Sequence, residues 1–361
     1  MSFNPNANVR NQVFRQLGNL AHVLNLVETD GLKTWLETMN RTKLNYTVSK
    51  HQNSSIFFPD QKIDSYGLYR DDDKSFVSQV GGTFEVVQTL DMFQWVDKIV
   101  EVDGRHYVGA GERNNGKDVF CVVYLGEFRI NGNDLVKVFG MFEDGRGSGS
   151  ARFRLIFFRE VCANGMHKMV SFSDKKFRHT KNVLNRMAEV ASNNNILDFI
   201  AEYKLSLQKL ANRKIGEDLV QEILNELYPL PSADAKRKSQ VNQKHQDAIL
   251  ANYRDNDNGA FQEQEETAWA LLNAITNYEN HSRPQTNTSS REGVDASVVR
   301  ATNSIFGGSG NLMENALDLI LEKTDGLPEY VYVPKNPVSI VVPSSYDLLN
   351  EILDAHPSNK G

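Results

Sequence analysis

Cysteine is scarce in this chain of 361 residues, which contains only Cys121 and Cys162. This low density argues against a disulfide framework. Each cysteine lies in an apolar run, so we expect both to be buried, reduced thiols. No cluster of histidines and carboxylates at metal-ligand spacing lies near either one, and the sequence therefore predicts no metal site.

Long apolar runs are missing as well. The longest are the size of a strand, such as VFCVVYL at 119–125, whereas a membrane-spanning helix needs about 20 residues. The first residues, MSFNPNANVRNQVF, contain no apolar stretch like that of a signal peptide. We therefore expect a protein that has no membrane segment and stays in the cytoplasm, or in the host cytoplasm if a phage encodes it.

The usual signatures of catalysis are absent too: there is no GxSxG, GxxxxGKS/T, HExxH or paired CxxC motif. The acidic clusters Asp71–Asp73 and Asp255–Asp257 are interpreted as solvated loops, since the second lacks the glycine and glutamate spacing of a calcium loop. We predict a protein that is not an enzyme and binds no cofactor. The alternative is a metal-dependent nuclease whose dispersed carboxylates, such as Glu85, Glu112 and Asp118, meet only in the fold.

Apolar residues recur with two different periods along the chain. Steps of three and four residues predict helices at 8–28 and 31–39. Between about 44 and 170 the period becomes two, and Asn-Gly and Asp-Gly pairs, which favour hairpin turns, separate the apolar runs. The predicted strands are 44–49, 55–58, 66–70, 82–90, 105–112, 119–130, 136–143 and 153–162.

Helical spacing returns in the second half. Helices are predicted at 91–100, within the sheet, and then over 180–228, 264–283 and 310–323, with a flexible loop at 285–293. The predicted class is α+β, a central antiparallel twisted sheet with flanking helices and an extended C-terminal tail. The predicted segments are an N-terminal helical segment 1–43, a core domain 44–284, a loop and short helix 285–324, and a proline-containing tail 325–361.

Positive charge is concentrated in one segment, although the net charge of the chain is −6. Arg146–Arg186 contains ten Lys or Arg against Glu160 and Asp174, a net charge of +8 over 41 residues that leaves −14 for the rest. Such a segment creates a local positive field on an acidic protein. The alternative is a solvated face that balances acidic residues elsewhere in the fold or in an oligomer.

The arrangement within this segment resembles a nucleic-acid-binding surface. Arg152 and Arg154 share one face of a predicted strand, and further cations surround the start of the next helix, where anions are favoured. Phenylalanines lie between these cations, as in stacking platforms for single strands. His179 contacts a phosphate or a base, or only packs, and the glycine-rich run 143–154 holds a phosphate or forms a mobile hairpin loop. The predicted nucleic-acid-binding residues are Arg146, Arg152, Arg154, Lys175, Lys176, Phe177, Arg178, His179 and Lys181.

Several short motifs resemble one known family, the phage/plasmid-like proteins grouped as a domain of unknown function, number 932. The motifs are REVCANGM (159–166), FRHTKN (177–182), TAWALLNAITNYENHSR (267–283) and ATNSIFGGSGNLMENALDLI (301–320). Glu160 and Gly165 depart from the family pattern, where an apolar residue and a threonine are usual. The resemblance covers about 45–320. It implies a gene carried beside replication and recombination functions, and by analogy a likeness to ring-forming single-strand annealing proteins.

The leading hypothesis is a phage or mobile-element protein that binds single-stranded DNA in annealing or recombination and forms a homo-oligomer. Annealing requires a positive groove that holds backbones and needs no nucleophile or metal. The alternative is a phage structural or host-interaction protein that binds no nucleic acid, in which the basic segment is an inter-subunit contact. Salt-dependent DNA binding separates these two.

Overall fold

The computed structural model has an antiparallel sheet and many helices, which confirms the predicted α+β class. It describes residues 14, 17, 19–29, 31–131, 134–147, 149–159, 170–171, 177–190, 193–230, 236–254, 266–284, 296–306 and 308–329. The predicted loop at 285–293, Cys162 and all but the first residues of the predicted tail lie outside these ranges.

The described strands form two sheets. They are β1 (Leu26–Glu28), β2 (Val48–Ser54), β3 (Lys62–Arg70), β4 (Phe76–Val80), β5 (His106–Arg113), β6 (Asp118–Ile130), β7 (Asp134–Gly145), β8 (Ser150–Arg159), β9 (Val170–Ser171) and β10 (Phe177–Arg178). The smaller sheet has the order β2-β3-β4. The larger has the order β1-β5-β6-β7-β8-β10, with β9 also paired to β8. Antiparallel registers join β1 to β5, β5 to β6, and β8 to both β9 and β10.

Turns rich in asparagine and glycine join the central strands, as predicted. Between β5 and β6, Asn114, Asn115 and Gly116 have φ values of 53°, 59° and 76°, in the left-handed region that these residue types tolerate best. Space also requires glycine at this turn, since a Cβ on Gly116 would lie 2.6 Å from the Tyr46 hydroxyl. Asn131, with φ 48°, begins the turn after β6.

The helices are α1 (Asn19–Val23), α2 (Trp35–Arg41), α3 (Thr89–Gln94), α4 (Asp97–Val100), α5 (Val183–Val190), α6 (Asn193–Ala211), α7 (Glu217–Leu227), α8 (Lys236–Arg254), α9 (Ala268–Asn277), α10 (Ala296–Phe306) and α11 (Gly308–Lys323). A π-helical turn, Tyr278–Ser282, continues α9. Helix α7 ends two residues before Pro229, where a helix end was predicted, because proline cannot continue the hydrogen-bond ladder. No helix was predicted at α8 or α10.

The chain forms two compact units, each built from several segments. Unit 1 comprises 1–126, 138–155 and 170–196, and unit 2 comprises 127–137, 156–169 and 197–361. Strands β6, β7 and β8 contribute residues to both units. The unit boundaries therefore cut across the linear division into a core domain 44–284 and flanking segments that the sequence suggested.

The core of unit 1 surrounds Trp35. Its ring centroid lies 4.9 Å from that of Phe93 and 6.0 Å from that of Tyr107, and its indole N–H donates to the Thr89 carbonyl over 3.0 Å. Strands β6 and β7 are buried along nearly their whole length. Burial of both faces explains why 119–125 is apolar at consecutive positions and does not alternate.

The core of unit 2 contains a buried acid that joins a strand to a helix. Asp134, the first residue of β7, accepts hydrogen bonds from Arg159 Nη2 over 2.6 Å and from Trp269 Nε1 over 2.7 Å. Trp269 lies on α9, where Leu271, Leu272 and Ile275 are buried too. These apolar side chains of α9 are therefore part of the core of unit 2.

Three predicted elements are wrong, each for a local reason. Residues 55–58 form the loop between β2 and β3. The segment 82–90 is not a strand, because a side chain takes the place of a backbone ladder there. Gln88 Oε1 accepts from the N–H of Val48 over 2.9 Å, and Gln88 Nε2 donates to the Val48 carbonyl over 3.0 Å. The first helix ends at Val23, since Asn25 adopts φ 52° and the next residues form β1.

Candidate nucleic-acid interface

The basic segment Arg146–Arg186 divides into buried and exposed side chains within the described residues. Three arginines are at most 6% exposed and lie beside carboxylates: Arg146, Arg154 and Arg159. Three further cations are exposed to solvent: Arg178, Lys181 and Arg186. Cations that look alike in the sequence therefore have two different physical roles.

Arg146 and His179 meet at one buried carboxylate, that of Asp144, in unit 1. Arg146 Nε donates to Asp144 Oδ2 over 2.9 Å, and His179 Nε2 lies 3.0 Å from Oδ1. Arg146 Nη2 also donates to Thr89 Oγ1 over 2.7 Å. These contacts connect the end of β7 to α3 and to the residue that follows β10. Because removing one partner would leave the other charge buried alone, loss of Arg146 or of Asp144 should be strongly destabilising.

The pKa values of two neighbouring carboxyls of β7 are shifted in opposite directions. Burial alone would raise the pKa of Asp144, but Arg146 and His179 outweigh it and hold that pKa below its usual range. For Glu143, burial dominates and raises the pKa, and Arg154 at 3.5 Å offsets only part of this rise. Asp144 is therefore an anion that neutralises Arg146 inside unit 1.

A second ionic group adjoins Arg146. The Arg70 guanidinium lies 3.7 Å from the centroid of the Tyr46 ring and donates to Glu112 Oε1 over 2.8 Å, while the Tyr46 hydroxyl donates to Glu112 Oε2. The Arg146 guanidinium lies 5.8 Å from the centroid of the same ring. Burial raises the pKa of Tyr46; Arg146 opposes this rise and Glu112 adds to it. The hydroxyl thus stays a neutral donor.

The segment that follows β10 is held by backbone bonds and a ring stack. The N–H of His179 donates to the Gly149 carbonyl over 3.1 Å, and its carbonyl accepts from the N–H of Glu85 over 2.8 Å. The His179 ring stacks on Phe84, with centroids 4.8 Å apart and planes 17° apart. Arg178 and Lys181, on either side of this residue, are therefore presented by an anchored backbone.

The exposed cations lie close to one another along β10 and α5. Arg178 pairs with Ser150 across β10 and β8. Because alternate residues of a strand share a face, the half-buried Arg152 emerges on the same face as Arg178. Arg186 Nη2 donates to the Arg178 carbonyl and to Thr180 Oγ1, each over 3.0 Å. We call Arg152, Arg178, Lys181 and Arg186 the cationic surface.

Carboxylates do not pair with the three exposed cations of this surface within the described part of the chain. Arg178, Lys181 and Arg186 form no ion pair with any described residue. Glu143 is paired with Arg154 and also interacts electrostatically with the half-buried Arg152. Three positive charges within nine residues therefore face solvent, with no carboxylate partner among the residues that the structure describes.

The structure separates the predicted binding residues into three groups. Four are buried, and packing or ion pairs occupy them, so direct contact with a ligand from solvent does not fit their positions: Arg146, Arg154, Phe177 and His179. Three belong to the cationic surface: Arg152, Arg178 and Lys181. Two lie outside the described residues: Lys175 and Lys176.

Sequence reasoning did not select several residues that shape this site. Asp144 was interpreted as part of an Asp-Gly turn, yet it lies inside β7 and is fully buried. Its position two residues before Arg146, where an apolar strand ends, was the available signal, because extended backbone places such a pair on one face. Phe84 carried no such signal. Arg186 was counted in the charge but was not chosen.

The carboxylates of the nuclease hypothesis do not come together among the described residues. Glu112 is bound by Arg70 and Tyr46, Asp118 accepts from Asn114 Nδ2 over 3.1 Å, and Glu85 is exposed. Over the same ranges, no group of three His, Cys, Asp or Glu side chains is placed to hold a metal ion.

None of the described helices is both long enough and apolar enough to cross a bilayer.

The chain matches one protein-family model. A family model described as a domain of unknown function, DUF932, matches residues 77–305, well over half of the chain. The chain belongs to this family. The DUF932 match begins in β4 and ends in α10, so it includes the whole cationic surface but not β2 or β3. Searches of curated proteins and of solved structures found no match.

Proposed function

We propose that this DUF932 protein binds single-stranded nucleic acid, DNA in the first place, through the cationic surface of Arg152, Arg178, Lys181 and Arg186. The observation that carries the proposal is that Arg178, Lys181 and Arg186 are exposed and have no carboxylate partner among the described residues. The buried arginines of the same segment are, by contrast, each neutralised by an acid.

Phosphate is the ligand group that this chemistry recognises. Guanidinium and ammonium groups form charge-assisted hydrogen bonds with phosphate oxygens, and binding releases counterions from the nucleic acid. The anchored backbone at His179 reduces the entropy lost when Arg178 and Lys181 engage a ligand. Because contacts to phosphate carry no sequence information, binding through this surface is independent of sequence.

A single strand suits this surface better than a duplex. The cations lie within a few residues of one another on β8, β10 and α5, so they span only a short run of phosphates. A flexible single strand can bend to bring successive phosphates to such a small surface, whereas a duplex holds its phosphates on a rigid path. The role we assign is binding, without a chemical step, as in a protein that assists annealing or recombination of a phage or mobile element.

The test is a salt titration of binding to a fluorescent single-stranded oligonucleotide. Each phosphate contact contributes about −0.7 to the slope of log K against log salt concentration. Contacts from the three exposed cations, Arg178, Lys181 and Arg186, therefore give a slope of about −2, and the half-buried Arg152, which interacts with Glu143, is not counted. The double variant Arg178→Ala/Lys181→Ala should reduce the slope to about −0.7 and weaken binding to all sequences alike.

A matched control variant has the same net charge as the double variant but loses its two cations elsewhere. Lys98 on α4 and Lys209 on α6 are also exposed, so Lys98→Ala/Lys209→Ala removes the same two charges from other positions. This control should bind like the wild type. If the two double variants behave alike, the effect comes from net charge and the cationic surface is not the site.

Two other outcomes would overturn the proposal. Absence of binding at low salt would favour the alternative of a structural or host-interaction protein. Tighter binding to a duplex of the same sequence than to either of its strands would contradict the preference for single strands.

A further inference from the structure

Three consecutive large apolar side chains are exposed at the end of the β2–β3 hairpin. Ile56, Phe57 and Phe58 are 92%, 86% and 66% exposed, and we call these three residues the hairpin tip. Strand β4 pairs with β3 only from Tyr66 to Tyr69, so the hairpin continues toward the tip as a two-stranded ribbon. Adjacent exposed apolar residues of this size are unfavourable in water unless they bind something.

Hydrogen bonds hold the hairpin tip in a defined shape. The N–H of Ser55 donates to the Gln61 carbonyl over 2.9 Å, and the N–H of Gln61 donates to the Phe58 carbonyl over 2.8 Å. Lower in the ribbon, Asn53 Nδ2 donates to Ser65 Oγ over 2.9 Å. Because the loop is closed in this way, docking the tip requires little ordering of the backbone.

The charges around the hairpin tip favour a protein partner. The two-stranded ribbon, residues 52–65, carries Lys62 against Asp60 and Asp64, which gives a net charge of −1. Anionic membranes and nucleic acids attract apolar segments that are flanked by an excess of cations. A ribbon that has no excess of cations and ends in apolar side chains instead matches an apolar groove on a protein.

Unit 2 contains such a groove. It lies between α7 and α11, and its lining includes the half-buried leucines Leu227, Leu312 and Leu319 together with Glu226. Its volume is about 370 Å³, within the range of cavities that hold small organic groups. Asn311 and Asn315 lie on its margin and can bond the polar backbone of an inserted loop.

We propose that the hairpin tip of one copy of this protein docks into the α7–α11 groove of a second copy. Each copy has one tip and one groove, and the two surfaces differ, so the contact is head-to-tail and repeats to form a ring or an open chain. The proposal does not depend on nucleic-acid binding, since neither surface includes a residue of the cationic surface.

The size of the contact determines how strong this association should be. Burying three side chains of about 150–250 Å² each, with the groove surface they cover, gives an interface on the order of 1,000 Å². Interfaces of that size are at the low end for specific complexes. We therefore expect association that depends on protein concentration, with a dissociation constant on the order of micromolar.

Sedimentation velocity over about 1–100 µM tests the proposal directly. The wild type should shift to larger species as concentration rises. The tip variant Phe57→Asp/Phe58→Asp and the groove variant Leu312→Glu should each stay monomeric. Mixed in equal amounts, the two variants should form a dimer and nothing larger, because one intact tip and one intact groove remain between them.

Two further variants serve as controls. If Leu312→Glu proves unstable, Asn315→Trp is a second way to block the groove. Asn315 is exposed, so the larger side chain should leave folding unaffected. Leu36 on α2 is 54% exposed, and Leu36→Asp removes an exposed apolar residue elsewhere in unit 1. The Leu36 variant should associate like the wild type.

Several results would overturn the inference. One is a wild type that stays monomeric at the highest concentration, and another is a tip variant that associates normally. If the tip variant fails to associate but both groove variants associate normally, the tip binds elsewhere. Loss of binding to anionic vesicles, or of oligonucleotide affinity, in the tip variant alone would assign the tip to a membrane or to bases.

Discussion

The Arg146 guanidinium lies inside unit 1, between the carboxylate of Asp144 and the hydroxyl of Thr89. Arg178, 32 residues later, is exposed and forms no ion pair among the described residues. Burial decides the role of each cation: a buried charge needs a fixed partner to offset its lost hydration, whereas an exposed charge keeps its water and remains available to a ligand.

This contrast predicts very different effects of one substitution on stability. Arg146→Ala should lower the free energy of unfolding by about 3–5 kcal/mol, because it leaves Asp144 buried without its main partner. Arg178→Ala should change that free energy by less than about 0.5 kcal/mol. Urea denaturation at neutral pH measures both. Equal losses would contradict the assignment of Arg146 to the interior and of Arg178 to the surface.

The carboxyl of Asp144 predicts a loss of stability in acid. Its pKa is lowered in the folded protein, so its contribution is fully present above the unfolded-state pKa of about 3.9 and is lost as pH falls through the folded-state pKa. The difference in unfolding free energy between wild type and Asp144→Asn should therefore shrink below about pH 4.

Glu143→Gln is the matched control for this experiment, because the shift at Glu143 has the opposite sign. Its pKa is raised by burial, so the folded protein binds a proton there more tightly than the unfolded chain does. The wild type should gain stability relative to Glu143→Gln as pH falls toward about 4.3. If the unfolding free energies of the two variants depend on pH in the same way, the environments of the Asp144 and Glu143 carboxyls are not distinct.

Among the elements, α9 illustrates how one helix contributes to a core. Thr267 is its N-cap and accepts a hydrogen bond from the N–H of Ala270 over 3.1 Å. From Ala268 to Thr276 every residue is buried, so the helix is surrounded on all sides within unit 2. A helix of this kind depends on packing and has little need of charge pairs on an outer face.

Truncation of one leucine tests this packing. Leu272 is 3% exposed, and Leu272→Ala should lower the free energy of unfolding by about 2–5 kcal/mol, through lost transfer energy and a cavity. Leu205 on α6 is 42% exposed, and Leu205→Ala should have an effect below about 0.5 kcal/mol. Thermal or urea unfolding distinguishes the two, and a small effect at Leu272 would mean that α9 is not buried as described.

At the scale of the whole molecule, Cys121 offers a probe of global unfolding. Its side chain is fully buried in β6, and burial raises the pKa of its thiol well above the ordinary value. A protonated, inaccessible thiol does not react, because the thiolate is the nucleophile.

A Cys162→Ser variant isolates this thiol. In the native protein, Cys121 should react with a thiol reagent only as fast as the chain unfolds. In denaturant, one equivalent of thiol per chain should react at once. Fast reaction of the native variant would show that β6 opens locally. That result would contradict the burial of both faces of the strand.

Part of this fold follows directly from the sequence. The α+β class, the long strands β5 to β8 and the helices over 180–228 were predicted, because apolar period and Asn-Gly turns are local signals that the chain carries in any context. The failed strand at 82–90 shows the limit of such signals: the partner that replaces its ladder, the side chain of Gln88 on Val48, is a contact across 40 residues.

The cationic segment shows the same limit for the candidate site. By itself the sequence determined where positive charge is concentrated, that it alternates with aromatic residues, and that it lies in a region typical of the DUF932 family. Which cations face solvent was decided only by tertiary structure, since Arg146 and Arg154 are buried against Asp144 and Glu143 while Arg178 is not.

The physical reason is that burial is a property of the whole packed unit. A strand pattern specifies which residues share a face, but whether that face meets solvent depends on elements far away in the chain, here Phe84 against His179 and Thr89 against Arg146. Composition and period are therefore readable from the sequence alone. The choice between a structural ion pair and a binding cation depends on desolvation, and desolvation exists only once the chain has folded.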